Sequence, residues 1–260
     1  MKLRKRTLRF VADKNTDDKS VSGTRRSTPK LRRRAAEIMN YRLMRKLILI
    51  GITIGAAVLM IGYSVTLLYN RTGRFSVAIN NPSEMFAITL SERPDFTVRT
   101  ARLTNDQEVT MTNICGDVLT PAVNEEDGQH NGENFLAYTF YCKNVGKVDT
   151  DMQYELTYNN VENHVDEAIR VRIYVDGEFT DYAKTRSDGT GKETHYCDYA
   201  FEGKTLVCSR RIHNVHPNDY VKFTVVIWLE GDDEDCNDSV INGMAKFDMV
   251  IEAKGPTEVA

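Results

Sequence analysis

An uncharged run of 23 residues, 47–69, constrains this chain more than any other feature; it reads LILIGITIGAAVLMIGYSVTLLY. A helix rises about 1.5 Å per residue, so a helix of this length can cross a hydrocarbon core of about 30 Å. Lipid admits helices because their backbone N–H and C=O groups are paired within the segment. A buried helix in a soluble protein is the alternative, but the length of the run and the adjacent Arg42, Arg45 and Lys46 favour a transmembrane helix.

The distribution of charge predicts the orientation of this helix. Residues 1–46 contain sixteen Lys and Arg against four acids, a net charge of +12. The whole chain carries −3 and residues 47–70 carry no charge, so residues 71–260 carry −15. Positive segments beside a spanning helix stay in the cytoplasm. We therefore predict a single-pass protein of the cell membrane, with a cytoplasmic N-terminus and an extracellular C-terminal domain.

A cleaved signal peptide is the competing interpretation of the apolar run. Its apolar core would be shorter, and a site with small residues would follow it. The run instead ends in SVTLLYN (64–70), which contains no Ala-x-Ala. We therefore expect an uncleaved signal anchor.

The segment before the span divides into two parts. Residues 1–27 are polar, basic and aperiodic, which predicts a disordered cytoplasmic tail. Thr28-Pro29 resembles a helix start, and we expect residues 28–46 to form a basic amphipathic helix on the inner leaflet or simply a charge cluster that sets topology. Anionic lipid headgroups are a more economical partner for these charges than nucleic acid. The membrane-proximal basic residues are Arg32, Arg33, Arg34, Arg42, Arg45 and Lys46.

Within the span, Gly51 and Gly55 form a GxxxG pair. Small residues at this spacing allow two helices to approach closely. Glycine is common in spanning helices in any case, so the pair is a candidate helix-packing site for self-association and no more.

Beyond residue 70 the apolar pattern alternates, which predicts a domain of mainly β-structure over residues 70–260. The clearest strands are 220–230, 245–251 and 134–142, and Asp176-Gly177 predicts a hairpin between 169–175 and 178–184. Further candidates are 74–80, 84–90, 95–102, 107–112 and 151–158, and only 160–168 looks briefly helical. About ten short strands predict an antiparallel β-sandwich, jelly-roll or immunoglobulin-like, whose strand order the sequence leaves open.

All five cysteines lie beyond the span, where disulfides persist, and the odd number leaves at least one thiol unpaired or paired between chains. If Glu202-Gly203 is a turn, Cys197 and Cys208 face each other across a hairpin and could form a disulfide. Cys142 lies on an apolar strand face and is predicted to be a buried core thiol.

The densest group of oxygen ligands is GDDEDCND (231–238). Asp233, Asp235 and Asn237 have the alternating spacing that opens a calcium loop. Asp238 stands where such a loop needs glycine, and Met244 where it needs glutamate. Calcium is therefore one possible ligand of Asp233, Asp235, Asn237 and Asp238, and a solvated loop tip is the other interpretation.

Catalytic motifs are absent from the sequence. There is no HExxH or GxSxG. His213 and His216 have no acid nearby in sequence at ligand spacing, and Gly189-Thr-Gly-Lys192 lacks the residues that would complete a phosphate loop. We predict a protein that is not an enzyme and that has no cofactor, calcium aside.

Three segments of the chain resemble the TasA/camelysin-like group of Firmicutes surface proteins, and within it uncharacterised membrane-anchored Clostridia proteins. The segments are YVKFTVVIWLEGDDEDCNDSVINGMAKFDMVIE, HNGENFLAYTFYCKNVG and VDEAIRVRIYV. The resemblance implies a jelly-roll-like sandwich and a role as a secreted or anchored surface component. In fibre-forming members it implies assembly by strand exchange, for which 71–90 would be the donor unless it is an ordinary first strand. Camelysins are described as metalloproteases, but no residue here matches a zinc site. The long basic segment and retained anchor also depart from that group.

Two functions follow from the sequence. The first is a structural role for a membrane-anchored β-sandwich in surface or matrix assembly. The second is an extracellular module that binds a ligand or cation and is coupled to the basic cytoplasmic tail. A third possibility, an enzyme with an unrecognised site, has no positive feature in its favour.

Overall fold

A computed structural model describes residues 29–70, 75–81, 87–105 and 109–256. The described chain is mainly β and forms two units, an N-terminal helix and a β-rich domain.

The N-terminal unit ends at Tyr63 and contains most of the helix α1 (Pro29–Asn70). This helix starts at the predicted proline and runs without interruption through the predicted span. Its apolar section, Leu43–Ser64, has a mean hydropathy of 2.2 and is the one described helix long and apolar enough to cross a membrane. This section begins four residues before the predicted 47–69. It includes Arg45 and Lys46, whose long side chains can extend from a helix end toward water. From Pro29 onward, the predicted basic segment 28–46 therefore belongs to the same continuous helix as the span.

Two predictions for the helix remain predictions. Gly51 and Gly55 are exposed in α1, and a Cβ added at either would meet no other atom within 4 Å. Both positions are therefore free to contact a second helix. Arg45 and Lys46 are exposed, whereas the disordered tail predicted for residues 1–27 lies outside the described residues. The remaining predicted basic residues, Arg32, Arg33, Arg34 and Arg42, belong to α1.

The β-rich unit contains twelve described strands in two sheets, which confirms the predicted sandwich. Their bounds are β1 (Phe75–Asn80), β2 (Ile88–Ser91), β3 (Arg102–Asn105), β4 (Gly128–Gln129), β5 (Phe135–Asn144), β6 (Thr150–Glu162), β7 (Ile169–Val175), β8 (Glu178–Ala183), β9 (Tyr199–Ala200), β10 (Leu206–Val215), β11 (Tyr220–Leu229) and β12 (Met244–Lys254). One sheet has the order β10-β6-β12-β1-β3. The other has the order β2-β5-β11-β7-β8-β9, with β4 also paired to β5.

The strand pairing differs from an all-antiparallel sandwich at two places. β1 runs parallel to β12, and β9 runs parallel to β8; the other ladders are antiparallel. The parallel pairing places Phe75 beside Phe247 and builds β1 into the sheet between β12 and β3. Residues 75–80 are therefore an ordinary strand of their own sheet.

The main core lies between the two sheets and draws all its side chains from residues 75–253. Inward-facing residues alternate along β5, β11 and β12, as the sequence pattern predicts. Aromatic contacts join the sheets: the Tyr154 and Phe223 rings lie 5.4 Å apart and the Phe75 and Tyr138 rings 5.8 Å apart. Because this unit is compact and contains its own core, it meets the structural conditions for folding without α1.

A smaller cluster covers the outer face of β11. Val226 and Trp228 pack there with Tyr174 and with Leu119 and Val123 from the 115–130 segment. β11 is therefore buried on both faces, which explains why its sequence is almost continuously apolar.

Four details of the secondary structure differ from the prediction. In 95–102, Asp95 accepts hydrogen bonds from the backbone N–H and hydroxyl of Thr97, and this local turn replaces a strand. Of the predicted strand 107–112, residues 107 and 108 lie outside the described residues, and 109–112 join no ladder. The short helix predicted over 160–168 is reduced to a 3-10 turn, Val165–Glu167. β10 was not predicted because, as an edge strand, it exposes Arg211 and His213 instead of following a regular apolar alternation.

Candidate ligand-binding cleft

A cleft of about 1020 Å³ lies at one end of the sandwich. At this end β11 finishes beside the start of β7, where Leu229 pairs with Ile169. β6 finishes there beside the start of β12, where Glu162 pairs with Met244. Its walls also include residues 109–113 and the loop 236–243. The cleft is therefore built from segments that are far apart in sequence.

The floor of the cleft is apolar. Leu136, Ile169, Ile227 and Phe247 line it, and each is also a member of the main core with at most 7% of its surface exposed. Val165 and Val240 extend this lining toward the loops. The open end of the sandwich thus gives access to side chains that belong to the hydrophobic core.

The rim of the cleft is polar and acidic. Two exposed carboxylates, Glu162 and Asp238, lie on it together with amide and hydroxyl side chains. No Lys, Arg or His is among the described residues that line the cleft. Within the described part of the chain, neither Glu162 nor Asp238 forms an ion pair. The described rim therefore carries a net negative charge.

Close backbone packing fixes the loop beside the cleft. The Asn163 side-chain amide donates a hydrogen bond of 2.7 Å to the carbonyl of Ile241, and the Gly243 N–H donates one of 2.8 Å to the carbonyl of Val240. A Cβ at Gly243 would lie 2.6 Å from the Cβ of Val165, so glycine is needed for this approach. The wall is consequently held against the sandwich and not left as a free loop.

The structure divides the four predicted calcium ligands between two places. Asp233 and Asp235 lie close to Glu193, with carboxylate oxygens of all three within 4.8 Å of one another. Asn237 instead caps a 3-10 turn by accepting a hydrogen bond from the Ser239 N–H, and Asp238 lies on the cleft rim. The four residues therefore do not form one ligand set.

Arg170 supplies the positive charge that relieves repulsion between these carboxylates. Its guanidinium Nη2 is 2.7 Å from Asp233 Oδ2 and 3.7 Å from Glu193 Oε2, and its Nε donates to the carbonyl of His195. Asp235 accepts a hydrogen bond from the Ser187 hydroxyl. Burial and the neighbouring Asp233 nevertheless raise the pKa of Glu193. Arg170 thus stands beside Asp233 where a cation would have to bind, and calcium binding remains a prediction.

Sequence reasoning missed Arg170 and Glu193 as partners of the acidic loop. The one available signal was the pattern IRVRIYV (169–175), which places two arginines inside an otherwise apolar strand. Both are buried: Arg172 forms a two-point ion pair with Asp181, with contacts of 2.6 and 2.7 Å. A buried arginine requires a carboxylate partner, but the sequence does not say which one.

The predicted disulfide between Cys197 and Cys208 is absent, and all five cysteines are unbridged thiols. The turn lies two residues later than expected, because the Gly203 N–H bonds to the Leu206 carbonyl and the Glu202 N–H to the Val207 carbonyl. This register places Phe201, not Cys197, opposite Cys208. Burial raises the pKa of Cys208 to about 12 and also raises that of Cys142, which confirms Cys142 as a core thiol.

Comparison with known proteins leaves the family open. No family model and no curated protein matches the chain. Among solved structures, it is similar to a β-glucosidase from Kluyveromyces marxianus in complex with glucose, with 10% sequence identity and a TM-score of 0.22. This match covers 63% of the present chain and only 15% of the enzyme, and a similarity of this size carries no functional argument.

Proposed function

We propose that the protein is a single-pass membrane-anchored binding module whose acidic β-sandwich faces the outside of the cell and takes a ligand in the end cleft. The observation that carries the proposal is the cleft itself. It combines an apolar floor with polar groups at the rim, and its volume is at the upper end of the range of about 300–1,000 Å³ typical of small-molecule sites.

The proposed orientation is supported by the sequence. The net charge of +12 over residues 1–46 and of −15 after residue 70 favours a cytoplasmic N-terminus. The sandwich is then the part of the protein that meets extracellular ligands.

A structural role in surface or matrix assembly, which the family resemblance implies, has less support in the geometry. Strand exchange needs a donor segment, but the part of 71–90 that forms β1 is paired on both sides within its own sheet. The long edge strand β10 carries Arg210 and Arg211 and two register shifts, features that discourage pairing with another sheet. We therefore favour the binding module.

Binding in the cleft can be tested on residues 71–260 with an uncharged dye whose fluorescence rises in apolar surroundings. Ala245 lines the cleft, so Ala245→Phe should fill part of it and lower the affinity for the dye at least tenfold. Ala122→Phe, at an exposed position away from the cleft, is the matched control and should leave affinity unchanged.

Thermal unfolding of each variant shows whether the sandwich remains folded. Dye binding that is the same in both variants, or no saturable binding at all, would contradict the proposed function. Sedimentation of the same samples should give monomers, and filaments or ladders of oligomers would instead support the assembly role.

A further inference from the structure

We propose that the ligand of the cleft is an amphiphile with a single alkyl chain and a cationic head group. This inference rests on the proposed function, since it assigns a ligand class to the same cleft. It uses two features together: an apolar interior that water solvates poorly, and a rim whose two carboxylates have no cationic partner within the described part of the chain.

The alkyl chain is inferred from the floor. Leu136, Ile227 and Phe247 present only aliphatic and aromatic surface, and the described floor offers no side-chain hydrogen-bond donor or acceptor. A ligand part that enters this region must itself be apolar, because a polar group there would lose its hydrogen bonds to water without replacement.

The cationic head is inferred from the rim. Glu162 and Asp238 come from different segments, the end of β6 and the 3-10 turn before β12, yet both line the same opening. Both carboxylates are exposed, and neither is paired with a basic group among the described residues. An ammonium head at this opening would be attracted by both carboxylates, whereas a sulfate or phosphate head would be repelled.

Exposed ion pairs are weak, so the charge preference should be modest. Two such pairs together predict about a five- to tenfold preference for a cationic over an uncharged head of equal chain length. Burial of the chain contributes separately, with about a fourfold gain in affinity for each added methylene. The two contributions can therefore be measured independently.

The experiment is calorimetric titration of residues 71–260 with octyltrimethylammonium, octyl glucoside and octyl sulfate, each below its micelle concentration. We expect the ammonium compound to bind most tightly and the sulfate least. A decyl chain should strengthen binding of the ammonium compound about fifteenfold. Ala245→Phe should weaken all three ligands alike, because it blocks the chain and not the head.

The double variant Glu162→Gln/Asp238→Asn tests the rim. It should bring the three octyl ligands to within about twofold of one another while leaving the dependence on chain length intact. Glu125→Gln/Glu126→Gln removes the same amount of charge from exposed positions outside the cleft, and should leave the preference unchanged.

The possible outcomes test the ligand class separately from the proposed function on which it rests. Suppose that Ala245→Phe blocks binding, but that the ammonium compound is not preferred or that Glu162→Gln/Asp238→Asn does not change the preference. This result would overturn the inference of a cationic head group and would leave the proposed binding module intact. Binding of all three that is insensitive to Ala245→Phe, or no binding of any, would overturn both.

Discussion

Arg170 is 1% exposed, so its charge depends wholly on protein groups for stabilisation. Its contacts join strand β7 to two loops, through Asp233 in 231–238 and through Glu193 and the carbonyl of His195 in 184–198. A buried ion pair is costly to form, but removing one partner leaves the other charge uncompensated. Arg170 therefore has a larger effect on stability than an exposed arginine in the same loops.

Replacing Arg170 by Met should lower the free energy of unfolding by about 3–5 kcal/mol, because the buried Asp233 loses the guanidinium that lies 2.7 Å from its carboxylate. Urea unfolding of residues 71–260 measures this difference. Arg186→Gln is the matched control: Arg186 lies 3.4 Å from the exposed Glu234, and its loss should cost about 0–1 kcal/mol.

The double variant Arg170→Met/Asp233→Asn should recover part of the lost stability, since it removes one of the stranded charges. A loss below about 1 kcal/mol for Arg170→Met would contradict the buried network. Equal losses in the single and double variants would show that Arg170 acts through packing alone.

At the scale of elements, the sequence predicts best those strands that face the core on alternate residues. β5, β11 and β12 follow this pattern, and the apolar residues that alternate along them lie in the main core. β10 was not predicted because it is an edge strand and exposes polar side chains to water. The disulfide prediction was wrong because the turn lies two residues later than expected. Local alternation determines a strand, but it does not determine the register between strands.

The same reasoning explains why the cleft could not be predicted. Its floor combines Leu136, Ile169, Ile227 and Phe247, which belong to four strands of two sheets. Each looks like an ordinary core residue in its own segment. Only the strand order and the position of the loop 236–243 bring them to one opening, and neither can be read from local sequence.

A substitution in β1 can show whether this strand belongs to its own sheet or is exchanged between chains. Phe75 is fully buried, and its strand joins β12 to β3. Phe75→Ala should therefore lower the free energy of unfolding of the monomer by about 3–5 kcal/mol. Asn80→Ala, at the exposed end of the same strand, should change it by less than about 0.5 kcal/mol.

Sedimentation of the same variants completes this test. If β1 served mainly as a strand exchanged between chains, Phe75→Ala would dissociate oligomers and leave monomer stability nearly unchanged. That result would contradict the assignment of β1 to its own sheet and would favour assembly as the function.

At the scale of the whole molecule, the proposed account requires that the basic N-terminal segment and the sandwich face different compartments. The basic segment precedes the apolar section Leu43–Ser64, and the acidic sandwich follows it. A binding module of the cell exterior is possible only if the sandwich has crossed the membrane. Orientation is therefore the claim on which the proposed function most depends.

The most direct test places one recognition sequence for a site-specific protease in either of two positions of the full chain. One insertion follows Gly189, in an exposed loop of the sandwich, and the other follows Ser20, in the basic segment. Protease added to intact protoplasts should cut only at the Gly189 insertion, and lysis should expose both. Cutting only at the Ser20 insertion, or no cutting before lysis, would contradict an outward-facing sandwich and with it the proposed function.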